Sequence, residues 1–65
     1  MKTYLLVIHF PNTQFYNILL EFDKNDLFDN DKLLKLKGKI RGIINKKFNE
    51  KFTAIDECTI INVME

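Results

Sequence analysis

An amphipathic stretch over residues 31–48 constrains the fold of this chain more than any other feature. At 100° per residue its apolar side chains fall on one stripe, which is the pattern of a helix packed on a core. The stripe consists of Leu33, Leu36, Ile40, Ile43 and Ile44. The sequence therefore predicts one long helix, and the rest of the chain has to supply a surface for this stripe.

Two apolar runs precede the helix, at residues 4–10 and 15–22. Both have strand length and are rich in branched and aromatic residues, and the linker of four residues between them has the length of a hairpin loop. They are predicted to pair as antiparallel strands. Because successive strand residues point to opposite faces, alternation predicts that the even-numbered side chains face the helix. These are Tyr4, Leu6, Ile8, Phe10, Tyr16, Ile18, Leu20 and Phe22.

A third strand-like run covers residues 58–64, after a polar break at 49–51. A right-handed crossover from the second strand would place it beside the first strand and antiparallel to it. The expected fold is therefore α+β, a single domain over residues 1–65 in ββαβ order, with a three-stranded, mostly antiparallel sheet packed on one amphipathic helix. A chain of this length buries only about 60% of the surface that its unfolded form exposes, so its core is small.

Residues with catalytic or metal-binding chemistry are few. One cysteine and one histidine, Cys58 and His9, can form neither an internal disulfide nor a structural zinc site. Alternation places His9 on the odd-numbered face and Cys58 towards the core, so they are not expected to pair as base and nucleophile. Asp56 and Glu57 are adjacent, which indicates a turn rather than an acid and base pair. We expect no catalytic residue, metal or cofactor, and a protein that is not an enzyme.

The acidic segment over residues 23–31 invites comparison with a calcium-binding loop. An EF-hand loop needs an oxygen ligand at its fifth position, Gly at its sixth and Glu at its twelfth, where this chain has Leu27, Phe28 and Leu34. The pattern fails at these positions. Its Asp and Asn side chains are expected to cap the helix that follows.

The polar face of the helix is strongly basic. Residues 32–51 carry eight basic residues and one acid, although the net charge of the whole chain is only +1. Two glycines one turn apart would let a partner approach closely, and the basic side chains could contact phosphates. The candidate residues for a protein or nucleic-acid interface here are Lys35, Gly38, Lys39, Arg41, Gly42 and Lys46. The alternative is a solvated face, because nine lysines against one arginine also follow from AT-rich codon usage.

The odd-numbered face of the sheet is the second candidate surface. One helix covers only one face, which leaves apolar side chains on the other. Ile61 and Val63 are expected to join them if the third strand pairs in regular register. The candidate interface residues are Leu5, Val7, His9, Phe15 and Leu19. Contiguous apolar surface marks an interface, and stacking of two sheets in a homodimer would enlarge a small core. The alternative is that loops and termini fold over this face.

These features predict a small, non-catalytic interaction protein, an adaptor, regulator or inhibitor. It is expected to act by protein–protein docking, as a homodimer, on another protein, or both. Such compact domains are typical of accessory or mobile-element genes. The alternative is a small nucleic-acid-binding protein that uses the lysine-rich helix face. No signal peptide is apparent and no segment approaches the ~20 apolar residues of a membrane span. We therefore expect a cytoplasmic protein with no membrane partner and no small-molecule substrate.

Overall fold

The computed structural model describes residues 1–11, 14–53 and 58–65. In chain order the elements are β1 (Lys2–His9), β2 (Phe15–Phe22), a short 3₁₀ helix (Lys24–Phe28), α1 (Asn30–Lys47) and β3 (Thr59–Met64). The strands form one sheet in the order β2-β1-β3, and both pairs are antiparallel. The predicted α+β fold, the ββαβ order and the position of the third strand are confirmed. The turn expected at Asp56 and Glu57 lies outside the described residues.

The helix packs on the even-numbered face of the sheet, as alternation predicts. Of the eight even-numbered side chains predicted to face the helix, seven are buried, including Phe10 just after β1, and Leu20 is half-buried against the same core. The helix contributes the buried side chains of its apolar stripe to this core, and Cys58 is buried in the same core. Among the residues that the structure describes, the buried ones are Tyr4, Leu6, Ile8, Phe10, Tyr16, Ile18, Phe22, Leu36, Ile40, Ile44 and Cys58. In the described part of the chain no helix has the length and apolarity to cross a membrane.

Side-chain and backbone caps fix both ends of α1. The Asp29 carboxylate accepts the backbone N–H groups of Asp31 at 3.0 Å and Lys32 at 3.2 Å, so the predicted capping role is confirmed. Such a cap stabilises a helix by about 0.5–2 kcal/mol. At the other end Asn49 adopts a left-handed conformation with φ 56°, and the Glu50 N–H donates to the Asn45 carbonyl. Asparagine tolerates this conformation better than most residues, which explains why the helix ends here.

The segment after the helix is held against the sheet by one asparagine and one aromatic ring. The Asn45 amide donates to the Phe52 carbonyl at 2.9 Å and accepts from the Phe52 N–H at 3.0 Å. The Phe52 ring then stacks on Phe10, with centroids 4.0 Å apart and planes 2° from parallel. Tyr16 lies against the same rings, and its hydroxyl donates to the Glu50 carboxylate. These contacts close one end of the core.

A β-bulge in β3 changes which of its side chains face outward. The register passes from Ile8 opposite Ile60 to Val7 opposite Asn62, so that Ile61 has no partner on β1. One extra residue reverses the alternation beyond it. Val63 consequently packs against the core, which corrects the expectation that it joins the odd-numbered face.

Candidate functional site

The odd-numbered face of the sheet carries one continuous set of side chains from all three strands. Directly opposed residues in an antiparallel sheet point to the same side, so the register identifies them. We call this surface the outer sheet face. It consists of Thr3, Leu5, Val7 and His9 of β1, Phe15, Asn17, Leu19 and Glu21 of β2, and Thr59, Asn62 and Met64 of β3.

The apolar residues on the two edge strands of the outer sheet face are open to solvent. Phe15 is 63% exposed and Leu19 is 68% exposed, and Met64 at the opposite edge is also exposed. Leu5 and Val7 are half-buried, because β1 is the central strand and side chains of β2 and β3 flank it. The alternative that loops and termini cover this face therefore does not hold for Phe15 and Leu19. All five residues that the sequence placed on this surface lie on it together.

The outer sheet face is almost free of charge. Among its residues only Glu21 is charged at neutral pH when His9 is neutral, and Glu21 lies in the outermost row beside Thr3. The His9 ring contacts the Phe15 ring, with centroids 4.8 Å apart and planes inclined by 44°. A surface with this composition is suited to contact with another weakly charged surface rather than with a polyanion.

His9 and Cys58 do not form a catalytic pair. Cys58 is fully buried in the core, whereas His9 lies on the outer sheet face, so the sheet separates the two side chains as alternation predicts. Burial raises the pKa of the Cys58 thiol, and the positive charge of Lys37 opposes that change. A buried thiol with a raised pKa is a poor nucleophile, because the thiolate is the reactive form.

Four of the seven basic side chains of α1 lie on one flank of the helix. At 100° per residue, four exposed lysines fall within about 60° of one another on the flank beside β2. We call them the lysine row: Lys32, Lys35, Lys39 and Lys46. At 1.5 Å per residue the row is about 21 Å long. Within the described ranges the one ion pair joins Lys2 and Glu65, so the lysine row has no carboxylate partner there.

Arg41 does not belong to the lysine row, although the sequence predicts it on the same basic helix face. Its direction from the helix axis differs from that of the row by about 150°. Its guanidinium donates to the Thr53 carbonyl at 2.6 Å. Arg41 therefore tethers the segment after the helix, and this bond uses one of the five N–H donors of its guanidinium.

Gly38 and Gly42 both face open space. A Cβ atom built at either position meets nothing within 4 Å, so neither glycine is required by packing within the chain. We expect Gly38→Ala with Gly42→Ala to raise the free energy of unfolding by up to about 1 kcal/mol per site, since alanine favours helix over glycine. Chemical denaturation of the free protein measures this.

The paired glycine substitutions also test the helix face as an interface. If a partner approaches this face closely, the same two alanines weaken the complex while they stabilise the free chain. Unchanged assembly together with higher stability removes the glycine positions from the candidate interface. A loss of stability would contradict the open space around both positions.

The acidic segment before the helix uses its carboxylates for caps. Asp23 accepts the backbone N–H of Asn25 at 3.0 Å, and Asp29 caps α1 as described above. Across residues 1–11, 14–53 and 58–65 no three His, Cys, Asp or Glu side chains are grouped so that they could hold a metal ion.

Two residues of the outer sheet face were not expected from the sequence. Asn62 and Met64 reach it because of the bulge at Ile61. The sequence signal for them is weak: a polar Asn interrupts the apolar run of the third strand, which is consistent with an outward position.

No protein-family model, curated protein or solved structure matches this chain.

Proposed function

We propose that this chain is a small non-catalytic interaction protein that acts in the cytoplasm by protein–protein docking through its outer sheet face, as a homodimer. The observation that supports the proposal most directly is the exposure of Phe15 and Leu19 beside the half-buried Leu5 and Val7. Contiguous apolar surface of this kind usually marks an interface in a soluble domain. The role is that of an adaptor, regulator or inhibitor.

The energy available from this face is large for so small a domain. Full burial of a Leu or Phe side chain contributes about 1.5–3 kcal/mol. The net stability of 65 residues, at about 0.05–0.15 kcal/mol each, is roughly 3–10 kcal/mol. Covering even two exposed side chains therefore changes the stability of the folded chain appreciably.

Sedimentation equilibrium tests the proposal. We expect the apparent mass to rise with concentration from the 7.8 kDa of the single chain towards twice that value. The concentration series should extend from micromolar to millimolar, because a small interface gives a weak complex. A single species of monomer mass over the whole range would contradict the proposal.

The second candidate function is nucleic-acid binding by the lysine row. Four exposed lysines on one flank, without a carboxylate partner among the described residues, support it. Glu21 and Asp26 oppose it, since they line the same shallow depression as Lys32, Lys35 and Lys39. The row also lacks interleaved aromatic residues on which bases could stack. The outer sheet face therefore remains the preferred site.

Salt dependence tests the nucleic-acid candidate. Four phosphate contacts to a duplex predict a slope of log affinity against log salt of roughly −3 to −4. Lys35→Gln with Lys39→Gln should lower the magnitude of that slope by about 2. Lys24→Gln with Lys37→Gln removes the same charge away from the row and serves as the control. Absence of binding to duplex and single strands at low salt would eliminate this function.

A further inference from the structure

One edge of the sheet, along β2, offers a row of backbone hydrogen-bonding groups. In the described part of the chain β2 pairs with β1 alone. The Phe10 N–H donates to the Gln14 carbonyl at 3.5 Å, and hydrogen-bonded positions alternate along an antiparallel pair. The even-numbered residues of β2 therefore bond to β1, and the odd-numbered ones direct their N–H and C=O groups away from the sheet. We call these groups the open edge: the backbone N–H and C=O of Phe15, Asn17, Leu19 and Glu21.

The opposite edge of the sheet, along β3, is less suited to pairing. β3 has six residues against the eight of β2, and the bulge leaves Ile61 without a partner on β1. The Val63 N–H donates to the side chain of Asn62 at 2.8 Å, so a side chain already occupies a backbone donor of this strand. Bulges and short strands are among the features that prevent pairing at a sheet edge. An extended chain is therefore expected to pair with β2 rather than with β3.

The lysine row runs along the open edge, on the helix side of the sheet. Three of its lysines share a shallow depression with Glu21 and Phe22, at the end of β2. Near the start of β2, the Phe48 ring lies against the Tyr16 ring, with centroids 5.0 Å apart. The helix therefore follows β2 in the opposite direction. A strand added at the open edge would direct every second side chain, about 6.6–6.8 Å apart, towards the lysine row.

Charge on the helix side of the open edge selects an acidic segment as its occupant. Acidic side chains at alternate positions would meet the lysine row, and the remaining side chains would extend the outer sheet face beside Phe15 and Leu19. Glu21 and Asp26 partly neutralise the row near Lys32, so acidic side chains should contribute most towards Lys46.

Other occupants match the open edge less well. In a second copy, β2 carries Glu21 as its one acidic residue. Pairing of two β2 edges would also bring two lysine rows together, and like charges across an interface oppose association. A nucleic acid would match the lysines, but its backbone does not present the alternating N–H and C=O groups that a strand edge pairs with. An acidic polypeptide in extended conformation satisfies both the backbone groups and the lysines.

We propose that the open edge of β2 binds an extended acidic segment of a partner protein, which pairs antiparallel with β2 and directs an Asp or Glu at every second position to the lysine row. In such strand addition the main-chain bonds supply affinity and the alternate side chains supply specificity. Antiparallel pairing is slightly more stable per residue than parallel pairing. This surface is separate from the outer sheet face and does not require a homodimer.

Selective N-methylation of a peptide tests the backbone pairing. The probe is a synthetic peptide with blocked termini that alternates Glu and Val and matches the eight residues of β2. Directly opposed residues in an antiparallel pair have side chains on the same face, so the N–H groups of the Val residues face β2. N-methylation of the Val residues should lower the affinity tenfold or more, whereas N-methylation of the Glu residues should change it less than about twofold. Isothermal titration calorimetry at low salt measures both.

Substitution of single lysines tests the charge pairing. Lys39→Gln and Lys46→Gln should each weaken binding of the unmodified peptide by about twofold to fivefold. Lys37→Gln is the matched control, because Lys37 lies on the same helix but on the flank beside β3, and it should leave the affinity nearly unchanged. The peptide with Gln in place of Glu should bind at least tenfold more weakly than the original. Equal effects of Lys37→Gln and Lys39→Gln would contradict the placement of the acidic side chains.

Amide hydrogen exchange followed by NMR locates the bound strand. Saturating peptide should slow exchange at the Asn17 and Leu19 N–H groups at least tenfold, while those of Ile18 and Leu20 are already protected by β1. Equal binding of both N-methylated peptides, with displacement by single-stranded DNA, would reduce the site to a general polyanion surface and overturn the proposal. Protection of the same amides by higher protein concentration without peptide would make a second copy the occupant and also overturn it. So would the absence of peptide binding at millimolar concentration.

Discussion

Two lysines placed on the outer sheet face should abolish self-association while the fold is retained. Val7→Lys with Leu19→Lys adds two positive charges to a face that has almost none, and in the dimer each would be desolvated without a partner. Breaking an interface with an unpaired buried charge costs about 2–5 kcal/mol or more. Because the dimer is expected to be weak, a cost of this size should abolish dimer formation at every accessible concentration. Sedimentation equilibrium and far-UV circular dichroism measure assembly and fold separately.

The fold should tolerate these changes because neither side chain contributes to the core. Leu19 is 68% exposed, and a lysine at Val7 can extend its ammonium group past the neighbouring side chains into water. Phe28→Lys with Leu34→Lys adds the same charge at two other exposed apolar positions and is the control. If the control disperses the dimer and the outer-face variant does not, the docking surface lies on the helix side of the molecule.

Replacement of Ile40 by alanine should unfold most of the domain or lower its melting temperature steeply. Ile40 is fully buried at the centre of the helix stripe, and truncation of a buried Ile to Ala costs about 2–5 kcal/mol through lost burial and the cavity left behind. The whole domain has roughly 3–10 kcal/mol of net stability. With a shift of about 4–8 °C per kcal/mol, the melting temperature should fall by at least 8 °C.

Leu34→Ala is the matched control for the core substitution. Leu34 lies on the same helix, is 47% exposed, and Leu and Ala have similar helix propensities. The expected change in unfolding free energy is within about 0.5 kcal/mol. Both variants should be unfolded at one protein concentration, since the proposed dimerisation would make stability depend on concentration. Equal shifts for the two variants would contradict the assignment of Ile40 to the core.

The local patterns of the sequence determine the elements and the inner face of the sheet. The 100° stripe through Leu36, Ile40 and Ile44 identifies the helix, and period-two alternation in the first two strands identifies which side chains meet it. Both signals arise because burial selects apolar residues at the spacing of the element. The capping role of Asp29 is equally local, since it depends on backbone groups two and three residues away.

The composition of the outer sheet face was only partly accessible from sequence. Leu5, Val7, His9, Phe15 and Leu19 follow from alternation in the hairpin, where the short linker limits the register. Positions on β3 do not follow, because its pairing with β1 spans the helix and alternation cannot say where an extra residue is inserted.

Tertiary structure alone decided the remaining contacts. Arg41 could be separated from the lysine row by helical spacing, but its bond to the Thr53 carbonyl joins residues that only the folded chain brings together. The same holds for the Asn45 amide on Phe52 and for the stacking of Phe52 on Phe10. Periodicity in the sequence indicates which side of a helix or strand is buried. The register between distant strands and the positions of irregular segments depend instead on non-local packing, which periodicity does not encode.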